Sequence, residues 1–113
     1  MPEALVRIGT TELNIPIKSV IYARSNGHYV ELHTTREVRR VRATFKEIVE
    51  VLKHHGSFLV TARGYVVNLD YVTDMVDLDL VMDSGERVPV SRDNASAVRS
   101  AWTDHLFSRA RWS

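Results

Sequence analysis

The stretch from Phe58 to Tyr71, Phe-Leu-Val-Thr-Ala-Arg-Gly-Tyr-Val-Val-Asn-Leu-Asp-Tyr, contains the pattern that decides the fold. Its two apolar runs, Phe58–Val60 and Tyr65–Val67, each have the length of a short buried strand. Between them lies Arg63, beside Gly64, the residue type that best tolerates a positive φ or the close approach of another chain segment. We interpret this pattern as a hairpin whose tip directs a cation toward an anion, and the alternative is an arginine in a surface salt bridge.

The residues before this stretch alternate between short apolar runs and turn signals, which is typical of small antiparallel sheets. Ser25-Asn26-Gly27 is the strongest turn signal, and it places His28 at the exit of a loop. In the last of the strands we expect Val38 and Val41 to point inward and a bulge to accommodate their spacing. The predicted pieces are a hairpin of Leu5–Ile8 with Leu13–Ile15 and strands over Ile17–Ala23, Tyr29–His33 and Glu37–Arg42.

Two helices are expected, one on each side of the central stretch. Thr44 and Glu47 have the spacing of a capping box, and an apolar stripe (Phe45, Ile48, Val49, Leu52) leads to Gly56 as the stop signal. After an alternating segment over Val72–Asp83 and an edge strand at Pro89, Ser91 can cap a final helix. We expect the buried stripe of that helix to be Ala97, Val98, Ala101 and Trp102, and its tail, residues 108–113, to fray.

Length and composition indicate one domain over residues 1–113, with 44% apolar residues and no cysteine. The lack of cysteine excludes disulfides and thiolate zinc sites, and no segment has the pattern of a signal peptide or a membrane span. We therefore expect a cytoplasmic protein. Gly-rich phosphate loops, H-E-x-x-H and nucleophile-elbow motifs are lacking too, so we expect neither an enzyme nor a metal site or cofactor.

The net charge of +1 conceals a strong segregation of charge along the chain. Residues 36–42 contain four arginines and one acid, whereas residues 70–86 contain six acids and no Lys or Arg. Twelve of the fifteen cations are Arg, whose planar guanidinium suits phosphates and guanine edges. Arg92 lies in the first turn of the final helix, an unfavourable place for a structural cation, which makes an external anion a plausible partner.

Three motifs together resemble one family. Ile21-Tyr22-x-x-Ser25-x-Gly27-His28-Tyr29-Val30-x-Leu32 is similar to its early strand-turn-strand unit. Phe58-x-x-x-x-Arg63-Gly64-Tyr65-Val66-Val67-Asn68 is similar to its central motif, and Val88-Pro89-Val90-Ser91-Arg92 to its closing one. On these residues the chain, from about Ile15 to Trp102, resembles a LytTR-type DNA-binding domain, the output module of many bacterial response regulators.

The resemblance implies a mainly β fold with one or two short helices and an elongated arrangement of small antiparallel sheets. It also implies a transcriptional regulator that binds double-stranded DNA, at paired repeats in a promoter and as a homodimer. His28 and Arg92 would enter two successive major grooves, and Arg63 would lie toward the minor groove between them. Further DNA-binding candidates are Asn26, Arg39, Arg40 and Arg42.

The chain departs from the family pattern in two respects. Ala62-Arg63-Gly64 replaces the usual His-Arg-Ser, so we expect either a weaker affinity for phosphate or a shift of the phosphate contacts to Arg39, Arg40 and Arg42. The receiver domain that usually precedes the module is lacking, so we expect either an excised domain or a stand-alone regulator. The alternative function is a non-catalytic β protein-interaction or sensory module that uses the acidic segment Asp70–Glu86.

Overall fold

The computed structural model describes the backbone of residues 3–112 and the side chains of residues 3–110, which form three antiparallel sheets and two α-helices. Four short 3-10 turns join these elements. In chain order the elements are β1 (Leu5–Ile8), β2 (Thr11–Pro16), β3 (Val20–Asn26), β4 (Tyr29–Thr34), β5 (Val38–Arg42), α1 (Phe45–Leu52), β6 (Phe58–Ala62), β7 (Tyr65–Asn68), β8 (Val72–Val76), β9 (Asp79–Met82), β10 (Arg87–Pro89) and α2 (Ala95–Trp112).

A five-stranded sheet of order β5-β4-β3-β7-β6 forms the centre of the molecule. The other sheets are the hairpin β1-β2 and the three-stranded sheet β10-β9-β8, in which the strand containing Pro89 lies at an edge as predicted. The prediction of a mainly β fold with small antiparallel sheets and two helices is confirmed.

The central sheet has a hydrophobic core on each face, because successive side chains of a strand point to opposite sides. One face buries residues such as Val30 and Leu32 against β1-β2 and the apolar stripe of α1. The other face buries Tyr22 and Val67 against the three-stranded sheet and α2. On this second face the side chains of β4 and β5 are polar apart from Tyr29 and the exposed Val38, and they belong to neither core, which leaves an open and mostly polar surface.

The first helix begins as its sequence predicts. Thr44 Oγ1 accepts a hydrogen bond from Glu47 N at 3.1 Å, and Glu47 Oε1 accepts one from Thr44 N at 3.1 Å, so the capping box is complete. Ile48 and Leu52 are fully buried, and Gly56 ends the segment with φ +71°. These features are local in sequence, which is why they could be predicted.

Two expectations about the early strands are wrong. Val38 is 57% exposed, because β5 pairs with β4 in regular register without a bulge. Positions 38 and 41 therefore lie on opposite faces, and only Val41 packs against a core. Residues 17–19 form a 3-10 turn instead of a strand, and β3 extends from Val20 to Asn26.

The acidic segment and the last helix also differ from expectation. The alternation over Val72–Asp83 is interrupted by a turn at residues 77–78, where Asp77 has φ +53°. Ser91 makes no side-chain cap, because a 3-10 turn over Arg92–Asn94 precedes α2. Ala97 is exposed, while Val98, Ala101 and Trp102 pack inward as predicted. The helix continues to Trp112, so residues 108–112 of the tail that we expected to fray are helical, and Ser113 lies outside the described residues.

The molecule is a slab with extents of 36 × 35 × 23 Å and a radius of gyration of 13.7 Å. The molecule is therefore flattened and not elongated along one axis as expected, and its radius of gyration is close to the ~13 Å of a compact domain of this length. Neither α-helix within residues 3–112 combines the length and apolar character needed to cross a membrane.

Asn68 connects the central stretch to the start of β3. Its side chain is buried, its Nδ2 donates to Val20 O at 3.0 Å, and its Oδ1 accepts from Asp70 N at 3.0 Å. A buried polar group that loses its partner costs free energy, since water cannot replace the bond. The asparagine of the central motif therefore has a structural function.

We predict that Asn68→Ala lowers the free energy of unfolding by about 2–3 kcal/mol, because a buried carbonyl and a turn N–H lose their partner. Urea unfolding followed by circular dichroism measures the change. The matched control is Asn14→Ala at an exposed position, which should stay within about 0.5 kcal/mol. Equal effects of the two substitutions would contradict the structural function of Asn68.

Candidate nucleic-acid interface

Two turns that contain candidate DNA-binding residues lie side by side at one end of the central sheet. The turn at residues 27–28 joins β3 to β4, and the turn at residues 63–64 joins β6 to β7. Because β3 pairs antiparallel with β7, with Arg24 opposite Tyr65, the end of one strand lies beside the start of the other. A hydrogen bond from Ser25 N to Gly64 O at 2.8 Å fixes the two turns together.

Glycine is needed at both turns. Gly27 has φ +64° and His28 does not have a positive φ, as expected when Gly occupies the first central position of a type II′ hairpin turn. Gly64 has φ +79°, and a Cβ there would lie 3.2 Å from Ser25 Cβ. The glycine that replaces the usual family serine therefore allows the 63–64 turn to approach β3 closely.

Arg92 reaches the same end of the sheet through a bulge in β6. The register of β6 with β7 shifts between Val60 and Ala62, so Thr61 is the extra residue and its carbonyl is left out of the ladder. Thr61 O instead accepts hydrogen bonds from Ser91 N at 2.9 Å and Asn94 Nδ2 at 3.4 Å. Thr61 Oγ1 donates to Pro89 O at 2.9 Å, so this buried residue holds the segment that contains Arg92.

We call this end of the molecule the binding edge and define it by His28, Arg42, Arg63 and Arg92. Arg42 belongs to it because it pairs with Tyr29, the residue after the 27–28 turn. Across the sheet the order is Arg42, His28, Arg63 and then Arg92 beside the outer strand β6. The structure thus brings together three candidates from distant parts of the chain and places Arg63 between His28 and Arg92.

The side chains of the binding edge are available to a ligand. All four residues are exposed. Among the described side chains, the guanidinium groups of Arg42, Arg63 and Arg92 have no acidic partner within ion-pair distance. Free arginines in a row at one end of a rigid sheet make a surface suited to phosphates and to guanine edges.

Asn26 is tied to the open polar face of the sheet, beside the binding edge. Its Nδ2 donates to Glu31 Oε2 at 2.9 Å, while Arg24 Nε and His33 Nε2 lie 3.0 and 3.2 Å from Glu31 Oε1. The Asn26 amide, followed by His33, lowers the pKa of the Glu31 carboxyl, so this group is anionic at neutral pH. These contacts of Glu31 hold the strand that leads into the His28 turn. Because the Asn26 amide nitrogen is bonded to Glu31, the side-chain oxygen of Asn26 is the group left for a ligand.

Arg39 and Arg40, predicted together, lie on opposite faces of the sheet. The Arg40 guanidinium stacks 4.4 Å above the Tyr29 ring on the open polar face, next to the binding edge. Arg39 lies on the other face, with its Nη1 3.4 Å from Glu37 Oε1. Arg40 is therefore placed to supplement the binding edge, whereas Arg39 is partly neutralised and faces away from it.

Sequence reasoning missed three residues that matter here: Thr61, Asn94 and Arg24. Thr61 and Asn94 position Arg92, and the only sequence signal for Thr61 is a polar residue within an apolar strand. Arg24 forms an ion pair with Glu31 on the open polar face, and nothing in its sequence context indicates this. Among the side chains of residues 3–110, no group of three or more metal-ligating side chains converges.

Comparisons with known proteins identify the family of this chain. The family model of the LytTr DNA-binding domain matches residues 11–103. A solved structure, the LytTr DNA-binding domain of a protein described as a methyl-accepting/DNA response regulator from Bacillus cereus, is 25% identical with a TM-score of 0.70. That similarity covers 88% of this chain and 97% of the Bacillus cereus chain. No curated protein matches the chain in sequence. The family match extends over most of the chain, and the chain belongs to the LytTr DNA-binding domain family.

Proposed function

We propose that the binding edge contacts double-stranded DNA, with His28 and Arg92 in two successive major grooves and Arg63 at the minor groove between them. The observation that supports this proposal is the order of the three residues across the sheet end, together with the free guanidinium groups of both arginines. A contact with two grooves requires that order, because the minor groove separates two major grooves on one side of a duplex.

The dimensions of the slab are compatible with such a contact. Successive major grooves on one side of B-DNA are about 34 Å apart. The two long extents of the molecule are 36 and 35 Å. The molecule as a whole is therefore about as long as the spacing of the two grooves.

Each residue type suits its proposed position. Arg92 can donate two hydrogen bonds to O6 and N7 of a guanine, the commonest specific contact in the major groove. The His28 ring projects from a tight turn and can donate or accept at a base edge. Arg63 suits a narrow minor groove, whose negative potential attracts arginine. Arg40 and Arg42 would contact phosphates and so position the domain without selecting a sequence.

At the level of the cell, we propose a cytoplasmic bacterial transcription regulator. It would act as the output module of a two-component response regulator or as a stand-alone regulator and would bind paired promoter repeats as a homodimer. No catalytic step is needed for this activity, since the family is one of DNA-binding domains. The operator can be identified by selecting the duplexes that the domain binds from a random pool. The regulated genes are then those whose promoters contain that operator.

The acidic segment supports a second candidate function, a protein-interaction module. Several of its carboxylates, on Asp74, Asp77 and Asp83, are exposed on the three-stranded sheet, and no basic side chain within the described residues pairs with them. A salt-dependent affinity for duplex DNA separates the two functions, because phosphate contacts release counterions. A protein that binds no duplex at any salt concentration would favour the second function.

We predict that Arg92→Ala weakens binding to the selected operator by about 1–3 kcal/mol and relaxes the preference at one base pair. The loss follows from the missing pair of hydrogen bonds to guanine. Fluorescence anisotropy with the operator and a scrambled duplex measures it. The matched control is Arg36→Ala, which removes an exposed arginine from the turn at the opposite end of the same sheet. Equal losses on both duplexes would refute a base contact by Arg92.

For the phosphate contacts we predict that Arg40→Gln weakens all duplexes alike and lowers the slope of log K against log salt by roughly one. The reason is the loss of one neutralised phosphate with no base contact. Titrations at several salt concentrations give the slope, and Arg39→Gln on the opposite face should change it less. An unchanged slope for Arg40→Gln would remove that residue from the interface.

A further inference from the structure

The open polar face of the central sheet lies beside the binding edge, and two of its arginines flank an acid. Arg24 of β3 and Arg40 of β5 are the strand partners of Glu31 in β4, so the three side chains form one row across the sheet. Arginines on a flat face can bind the phosphates of a duplex without reading its sequence. A duplex laid on this face would contact the strands and not the turns at the end of the sheet. The face therefore competes with the binding edge for DNA unless another feature prevents it.

The two arginines of this row are held differently. The Arg40 guanidinium lies 4.4 Å from the centre of the Tyr29 ring, and Tyr29 is one row nearer the binding edge. Arg24 instead forms an ion pair with Glu31, and its Nε is buried 3.0 Å from Glu31 Oε1. Arg40 is thus directed toward the turns of the binding edge, whereas Arg24 is kept in the middle of the face.

The Glu31 carboxylate is fixed in its position. Its side chain is 17% exposed, its Oε2 accepts a hydrogen bond from Asn26 Nδ2 at 2.9 Å, and its Oε1 lies 3.2 Å from His33 Nε2. An ion pair on an exposed surface is weak and exchanges with solvent, but a partly buried carboxylate with several partners keeps its place. The centre of the open polar face therefore has a fixed negative charge.

We propose that Glu31 limits the DNA-binding surface, because it keeps a duplex off the open polar face and so confines it to the binding edge. Two effects act together: the fixed charge repels phosphates, and the ion pair keeps Arg24 from contacting them. Glu31 is a specificity-determining residue that touches no base, since it prevents a docking mode in which His28 and Arg92 read nothing. This inference rests on the proposed function, because it concerns the choice of the duplex between two surfaces.

The test is Glu31→Gln, which removes the charge but keeps the side-chain shape and an oxygen that can accept from Asn26. At about 50 mM salt we expect the affinity for a scrambled duplex to rise roughly three- to tenfold, because Arg24 gains a phosphate contact. The slope of log K against log salt should steepen by about one for the same reason. The affinity for the operator should rise less, since base contacts fix that duplex at the binding edge. Fluorescence anisotropy with both duplexes gives the slope and the ratio of the affinities.

Two further variants identify the residue through which Glu31 acts. Glu37→Gln removes another acid that is paired with an arginine, Arg39, but at the opposite end of the sheet, and should leave the slope and the ratio unchanged. Arg24→Gln alone should not change the slope either, because Arg24 makes no phosphate contact in the native protein. In the Arg24→Gln/Glu31→Gln double variant the slope should return to its native value.

Three results would overturn the proposal. The first is an unchanged slope in Glu31→Gln, and the second is a shallower slope in Arg24→Gln alone, which would show that Arg24 already contacts phosphate. The third is an equal weakening of both duplexes by Glu31→Gln together with a lower melting temperature, which would indicate a purely structural function.

Elution from heparin-agarose in a salt gradient separates this inference from the proposed function, because heparin is a polyanion without base pairs. We expect Glu31→Gln to elute at higher salt than the native protein and the double variant to elute with the native protein. If the native protein bound no duplex, the proposed function would have failed, and the elution shift would still show that Glu31 restrains Arg24. Identical elution of Glu31→Gln and the native protein would overturn that restraint.

Discussion

The pairing of β3 with β7 is the constraint on which the rest of the structure depends. These strands are some forty residues apart in sequence. Their register, with Arg24 opposite Tyr65, fixes the positions of the turns at residues 27–28 and 63–64 relative to each other. A slip of one residue would move every side chain to the other face and separate Gly64 from Ser25. These two residues lie so close together that the strands have little room to pair in another register. Arg92 depends on the same sheet, since its segment is held by the bulged Thr61 of the outer strand.

The fold also explains how a chain of net charge +1 can present a basic surface. The acids of residues 70–86 are mostly on the three-stranded sheet, while the free arginines lie at one end of the central sheet. Segregation of this kind concentrates a positive potential where a polyanion would dock. Glu31 is one of the acids near the arginines, and its carboxylate is occupied by Asn26, Arg24 and His33. The contacts of this carboxylate stiffen the strand before the His28 turn. Its negative charge slightly weakens the attraction of the surface for an anion.

Much of the fold could be predicted from the sequence, because its signals are local. The Thr44 capping box, the Gly27 turn and the edge position of Pro89 each depend on residues within one turn or strand. The predictions that were wrong concern residues whose positions depend on pairing with strands distant in sequence. Val38 points outward because of its register with β4, and the bulge that positions Arg92 arises from the pairing of β6 with β7. For the site, the sequence indicated which residues could meet DNA, but only the sheet order showed that they lie in one row.

The helix α2 is held to the rest of the domain near both of its ends. The backbone just before α2 is held at the binding edge by Thr61, and the far half of the helix is held by His105 and Arg109 against the turn at Asp70. Eighteen helical residues span about 27 Å, so these two attachments are well separated. Because one continuous helix is held at both places, the segment that contains Arg92 has a fixed orientation relative to the whole domain. The position of Arg92 at the binding edge therefore depends on the packing of α2 as well as on the register of β6 with β7.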